Sequence, residues 1–162
     1  MKIKIKNDIN IFCEGGIKLP YKSLSKKNIK DIIADTMKHL ELNGFTVNYI
    51  VTDNTYIQEI NNQYRNKNYP TDVISFTEED DFPGMEDSGC KFLGDVYLSL
   101  EKALEQSTEY KVTFPDEVKR LVVHSILHLI GYDHEISKFE EKRMFQMEDK
   151  ILSLMKNGEV NG

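Results

Sequence analysis

The stretch Leu121–His134, LVVHSILHLIGYDH, limits what this chain can become more than any other part of it. It holds three of the four histidines, His124, His128 and His134, with Gly131 between the second and third. Residues four apart on a helix share a face, about 5–6 Å from each other, so His124 and His128 point the same way. Gly131 permits a turn closed to other residues, and that turn can swing His134 back towards the pair. This is the geometry of a three-histidine metal site. At ~100° per residue, Leu121 and Leu127 flank the histidine face, and Val122, Ile126 and Leu129 cover the opposite one. Such a helix is apolar nearly all round and is expected to be buried. The competing reading is three ordinary structural histidines. Their clustering within eleven residues, with glycine at the turn, favours a metal.

Imidazole ligands suit zinc, although iron, nickel and copper bind them too. Structural zinc sites are closed by four protein ligands, whereas catalytic ones keep three and leave a position for water. Neither Cys13 nor Cys90 is near the histidines in sequence, so the expectation is an open, catalytic site with one Zn²⁺. Cys90 or Asp133 brought in by the fold would overturn it. Zinc proteases of the H-E-x-x-H type carry a glutamate beside the first histidine as general base. Here that position is Ser125, which argues against peptide hydrolysis. Glu117 lies seven residues before His124, on the same face. Two roles stand for it: a partner for a histidine or an incoming group, or a first-turn acid that suits the helix dipole.

The chain has 162 residues, the size of a single domain (1–162) with a sizeable core. No apolar run approaches the roughly 20 residues that span a bilayer. The N-terminus alternates Lys and Ile and does not read as a secretory signal, so the expected compartment is the cytoplasm, with both cysteines as free thiols. A net charge of −6 argues against a general coat for nucleic acid. However, Glu78, Glu79, Asp80, Asp81, Glu86 and Asp87 sit together, and setting those six aside leaves the remainder close to neutral. A local basic surface stays open. The acidic stretch has no core pattern and reads as an exposed, mobile insertion.

Residues 2–6 alternate Lys and Ile and are expected as a strand, with lysines protecting an edge or forming a basic row. Glu14-Gly15-Gly16 marks a turn. Ser25 caps a helix to about Leu42, stopped by Asn43-Gly44. His39 flanks its apolar stripe and is expected at the surface or its boundary, not as a fourth ligand. Phe45–Val51 alternates as a strand. Asp53 caps a helix to about Tyr64, with Ile57, Ile60 and Tyr64 facing the core, and Arg65 closes it. Val73–Thr77 and Phe92–Ser99 read as strands. Gly94 within the second marks a bulge or a close approach by another group. Ser99 caps a short helix ending near Gln106. Thr113, Pro115 and Asp116 open the histidine helix as a capping box. A last helix runs from about Ser137 to Met155, with Phe139, Met144, Met147, Ile151 and Leu152 inward. This order indicates an α+β fold: a single mixed sheet of about four strands packed with about five helices, including a metzincin-like zinc helix.

With these residues in view, the chain resembles the YbeY family of bacterial endoribonucleases. His124, Leu127, His128, Leu129, Gly131, Asp133 and His134 match its H-G-x-L-H-L-x-G-x-D-H signature, with Ser125 in place of the usual glycine. Tyr64-Arg65, Thr71-Asp72-Val73-Ile74-Ser75-Phe76 and Gly94-Asp95 match further motifs, and Met144 and Glu148 fit the family's final helix. The resemblance implies one zinc ion on the three histidines and a single-stranded RNA substrate. It implies a role in 16S rRNA 3′-end maturation and ribosome quality control, on a ribosomal RNA precursor and with the small ribosomal subunit as partner. It also implies a catalytic part for Arg65, alongside His124. A guanidinium grips phosphate bidentately and stabilises charge developing on it. The competing role for Arg65 is a surface cap of its helix. Asp72 and Ser75 are expected to hold the strand and turn. No general base and no oligomeric state can be read from the sequence. A ribosome-assembly factor with a structural zinc, and a hydrolase of another substrate, remain as alternatives.

Overall fold

A computed structural model describes residues 5–77 and 91–160. Nine elements follow the expected order: β1 (Asp8–Cys13), α1 (Lys26–His39), β2 (Phe45–Thr52), α2 (Asn54–Arg65), β3 (Val73–Phe76), β4 (Lys91–Ser99), α3 (Leu100–Tyr110), α4 (Phe114–Leu129) and α5 (Lys138–Val160). The strands form one mixed sheet in the order β1-β2-β4-β3. β1, β2 and β4 run parallel, and β3 is antiparallel to β4. The fold is α+β, as expected. Among the described residues no helix is long and apolar enough to cross a membrane.

The period-two pattern of the strands divides the core. Val47, Tyr49 and Val51 of β2, with Val96 and Leu98 of β4, pack against α1, α3, α4 and α5. On the other face Ile74, Phe76 and Tyr97 pack against Ile57 and Ile60 of α2. That second face also carries a polar ladder. Asn10 Nδ2 donates to Asn48 Oδ1 at 3.0 Å, and Asn48 Nδ2 donates to Asp95 Oδ1 at 2.9 Å, across three registered strands. Burial raises the Asp95 carboxyl above its ordinary range, against the bond from Asn48.

Helix starts follow the capping residues. Ser25, Asp53, Ser99 and Thr113 each accept the N–H three residues on. At Thr113 the partner is Asp116 N, at 3.2 Å. Asp53 also accepts from Gly16 N–H at 2.8 Å, which ties the Gly15-Gly16 turn to α2.

Several expectations are corrected. Of the strand expected at 2–6, residues 2–4 lie outside the described ones; Ile5 and Lys6 are in no strand, Ile5 is exposed, and the first described strand is Asp8–Cys13. Ile9 and Ile11 are the pair that turns inward there, in register with Val47 and Tyr49. α1 stops at His39 because Glu41 takes φ 57° and Leu42 N–H reaches back to Met37 O, ahead of Asn43-Gly44. α3 continues past Gln106 to Tyr110, where Lys111 ends it in a left-handed conformation. α5 runs to Val160, and Phe139 stands outward, not in the core. Tyr64 is half exposed, edge-on to Phe76. His39 needs no correction: it sits at the boundary, 3.5 Å from Asp35. The acidic stretch and Cys90 lie outside the described residues, and Cys13 is a free thiol.

Gly94 shows why the sheet can carry α4 so close. A Cβ there would stand 2.4 Å from Leu129 Cδ2 and 2.5 Å from the Phe76 carbonyl oxygen. The β2–β4 register also slips beside it, so both the bulge and the close approach expected at this glycine are present.

Candidate metal centre

α4 is buried along nearly its whole length, which fixes the rotation of its histidine face. Val118, Val122 and Ile126 lie fully in the core. Ser125 packs there too, its Oγ 2.5 Å from the Tyr49 hydroxyl and donating to Val122 O at 2.8 Å. The position that bears the general base in H-E-x-x-H enzymes therefore faces the sheet.

After Leu129 the helix unwinds through Gly131, at φ 107°. Tyr132 N–H returns to Leu127 O at 3.0 Å, and the chain doubles back. Arg143 of α5 stacks on the Tyr132 ring, 4.3 Å from its centroid, and steadies the turn. The turn brings His134 to His128, with Nδ1 3.2 Å from His128 Nε2. One ligand nitrogen from each of His124, His128 and His134 lies within 4.8 Å of the others. Among the described residues no fourth metal-binding side chain joins this group. Asp133 does not: its Oδ1 accepts from Glu135 N–H at 2.8 Å.

The histidines are partly open, with 19% exposure at His124 and 36% at His134, because they line a cleft. Burial first, then His124 and His134, and last the Arg65 charge, hold His128 down to about 4. His128 is therefore a neutral imidazole near pH 7, the form that binds a metal. His124 Nδ1 is hydrogen-bonded to Glu148 Oε1, and Glu148 is itself buried. A carboxylate accepts only, so Nδ1 carries the proton and Nε2 keeps its lone pair for a cation.

Glu148 comes from α5, 24 residues beyond His124 in sequence. Its place in a family motif was legible in the sequence, but its partner was not. Glu117 lies in the first turn of α4, where an acid suits the dipole, but it is no partner of a histidine. It is buried at 1% exposure, and its carboxylate is bound by Arg120 and Gln106.

The cleft encloses about 770 Å³. Arg65 stands on it as the last residue of α2, exposed, with Asn66 ending the helix in the left-handed region. The connector behind it is pinned to α2, since Asn61 Nδ2 donates to Tyr69 O at 2.9 Å. Asp72 and Ser75 line the same cleft. Asp72 accepts from its neighbour Val73 N–H at 2.7 Å, so it holds the turn into β3 as expected. Arg65, Asp72, Ser75 and the three histidines thus share one cavity, although three separate segments supply them.

A sequence model of the family described as Endoribonuclease YbeY matches residues 16–156. The chain belongs to that family. It is 44% identical over 132 residues to the Endoribonuclease YbeY of Sulfurihydrogenibium sp. strain YO3AOP1, covering 80% of this chain and 83% of that one. With the Endoribonuclease YbeY of Malacoplasma penetrans strain HF-2 the identity is 41% over 159 residues, 95% of this chain and 98% of the relative. A solution structure of a Thermotoga maritima protein superposes with a TM-score of 0.61 at 31% identity, covering 94% of this chain and 93% of the other. The fold and the family agree with the resemblance carried by the histidine stretch.

Proposed function

We propose that this chain is a metal-dependent endoribonuclease, a hydrolase that cuts single-stranded RNA, with His124, His128 and His134 as ligands of one Zn²⁺ and Arg65 as the residue that positions the scissile phosphate. The observation that carries this reading is the meeting, in one cleft, of three imidazoles and a guanidinium from a separate helix. The donor set fits zinc: three neutral nitrogens, no thiolate, and no fourth ligand among the described residues. When bound, the ion supplies Lewis acidity at a phosphoryl oxygen or lowers the pKa of a water.

The chain's own residues supply the rest. Glu148 holds the Nδ1 proton of His124 and keeps Nε2 facing the cleft. Burial keeps His128 unprotonated. Arg65 offers two parallel N–H donors to a phosphate and stabilises charge as it develops. Its placement at a helix end, exposed and beside the cleft, suits a backbone that threads past. In the cell we assign the protein a cytoplasmic role as a single domain over residues 1–162. It acts on a ribosomal RNA precursor at the small subunit, in 16S 3′-end maturation and ribosome quality control.

The rival reading is an assembly factor with a structural zinc and little nuclease activity of its own. The three-ligand site, open on a cleft, favours the nuclease, because structural sites are closed. The test is cleavage of a defined single-stranded RNA by purified protein, with and without chelator, beside His124→Ala to exclude a contaminating nuclease. The expected result is that chelation and His124→Ala each abolish cleavage, while readdition of Zn²⁺ restores it only to the parent. Full cleavage by metal-free protein would sink the proposal.

A further inference from the structure

Arg120 is built into the cleft by contacts that its own helix does not need. It lies four residues before His124 on α4, hence on the same face one turn earlier. Its Nε donates to Glu117 Oε1 at 2.9 Å and its Nη2 to Glu117 Oε2 at 2.6 Å. Glu117 is almost wholly buried and is held from behind by Gln106 Nε2, at 2.7 Å. Gln106 also donates to Asp72 Oδ2 at 3.3 Å. The row Asp72–Gln106–Glu117 therefore links the start of β3, α3 and α4, and the guanidinium rests against its end. The Tyr110 ring, 5.7 Å away, covers it.

The geometry of this pairing matters. An arginine has five N–H donors in a planar fork. The side-on pair with Glu117 uses two of them, on the Nε–Nη2 edge. Among the described residues no hydrogen bond engages Nη1. The side chain is 34% exposed and lines the cleft with Arg65, Lys67 and the histidines. An arginine there only to neutralise a buried acid has no need to border the cavity where the chemistry is placed.

We infer that Arg120 is a second phosphate contact of the cleft, preset by Glu117 and Gln106 so that its Nη1–Nη2 edge grips the RNA backbone at a phosphate other than the one Arg65 holds. The two arginines then have different work. Arg65, exposed at a helix end, adapts to the strand. Arg120, locked against a buried carboxylate on the metal-bearing helix, sets the register of the strand relative to His124. Arg120 is a positioning residue and takes no part in bond making. A fixed guanidinium loses less side-chain freedom on binding than a mobile one, so its contact carries a smaller entropic cost.

This inference rests on the nuclease reading, and the experiment separates the two. Removing Arg120 alone would leave Glu117 buried and unpaired, a strongly destabilising change. The variant to use is therefore the double substitution Glu117→Gln with Arg120→Met, next to Arg120→Lys and Arg65→Ala. Binding of a fluorescent single-stranded oligoribonucleotide is followed by anisotropy on the full chain, metal-free to prevent turnover and then metal-loaded, over a series of salt concentrations. Thermal unfolding and metal content confirm that each variant is intact. The double variant is expected to unfold cooperatively, keep its metal and bind about tenfold more weakly, the loss of one charge-assisted contact. Its slope of log affinity against log salt should fall by about 0.7, one phosphate on a single strand. Arg120→Lys should keep the parental slope and part of the affinity. A folded double variant with parental affinity and slope would overturn the inference even while Arg65→Ala weakens binding. A parent chain that binds no single-stranded RNA would bring down the nuclease reading, and this inference with it.

Discussion

His128 and Arg65 line the same cleft, yet different kinds of structure hold them. His128 sits on α4, where Val122, Ile126 and Leu127 around it are fully buried. Its neighbour His124 is tied to Glu148, and the turn that returns His134 is closed by backbone bonds and braced by Arg143 on Tyr132. Arg65 has none of this. It is exposed, ends a helix, and depends on the left-handed Asn66 and the pinned connector behind it. On the proposed function the difference follows from the tasks. Ligands of a cation must meet within a few tenths of an ångström, and core packing provides that precision. A group that receives a flexible polymer gains from reach. Damage to the ligand side should therefore appear in metal affinity and stability together, whereas damage to the arginine side should appear in RNA binding and catalysis and leave metal affinity and stability unchanged.

Arg65→Ala tests that separation with the largest effect. Loss of one preorganised donor to developing charge lowers kcat by about 10²–10³. The melting temperature and the stoichiometry of bound zinc should match the parent, since the side chain is exposed and the helix end is held by Asn66. Single-turnover cleavage alongside calorimetry reads both. A fall in zinc content would break the comparison, because it would place Arg65 in the metal's support.

Glu148→Ala probes the ligand side one step back from the metal. Partners of ligating histidines typically contribute about 10–100-fold in metal affinity. Without the carboxylate, His124 can take the other tautomer and turn its lone pair away from the cleft. Competition with a chromophoric chelator should show weaker zinc binding by that factor. Activity at saturating zinc should recover more than it does for Arg65→Ala. If zinc affinity stays at the parental value, the Glu148 contact is merely structural.

Much of this division was legible in the sequence, for local reasons. His124, His128, Gly131 and His134 lie within a few turns, so their convergence follows from helix periodicity and one glycine. The order of the elements followed from capping residues and alternation, as did Gly94 at a bulge. Non-local contacts were not legible. Glu148 meets His124 across 24 residues, and Glu117 has Gln106 behind it from another helix. Nothing in local spacing distinguishes a dipole acid from one buried beneath an arginine. Strand pairing was not legible either. Alternation at 8–12 is no stronger than the Lys–Ile alternation at 2–6, yet Asp8–Cys13 is the segment that pairs with β2. Phe139 looked like a core residue by type, but it falls at the start of α5, where no element among the described residues covers it.

Gly94→Ala carries the comparison into the sheet, with the smallest effect of the three. The added methyl group would meet the Phe76 carbonyl oxygen at 2.5 Å, and a backbone atom cannot rotate aside. Leu129 Cδ2, at 2.4 Å, can move, but Leu129 follows His128 on α4. Overpacking of this kind costs about 1–3 kcal/mol, so the melting temperature should drop. Relief by displacement of Leu129 would drag His128 with it, and zinc affinity should fall in step with stability. Relief by a shift of β3 away from β4 would leave the histidines where they are, and stability would fall alone. Zinc titration and thermal unfolding of the one variant distinguish these routes. Coupled losses would mean that the metal site is held in place through the sheet as well as through its own helix.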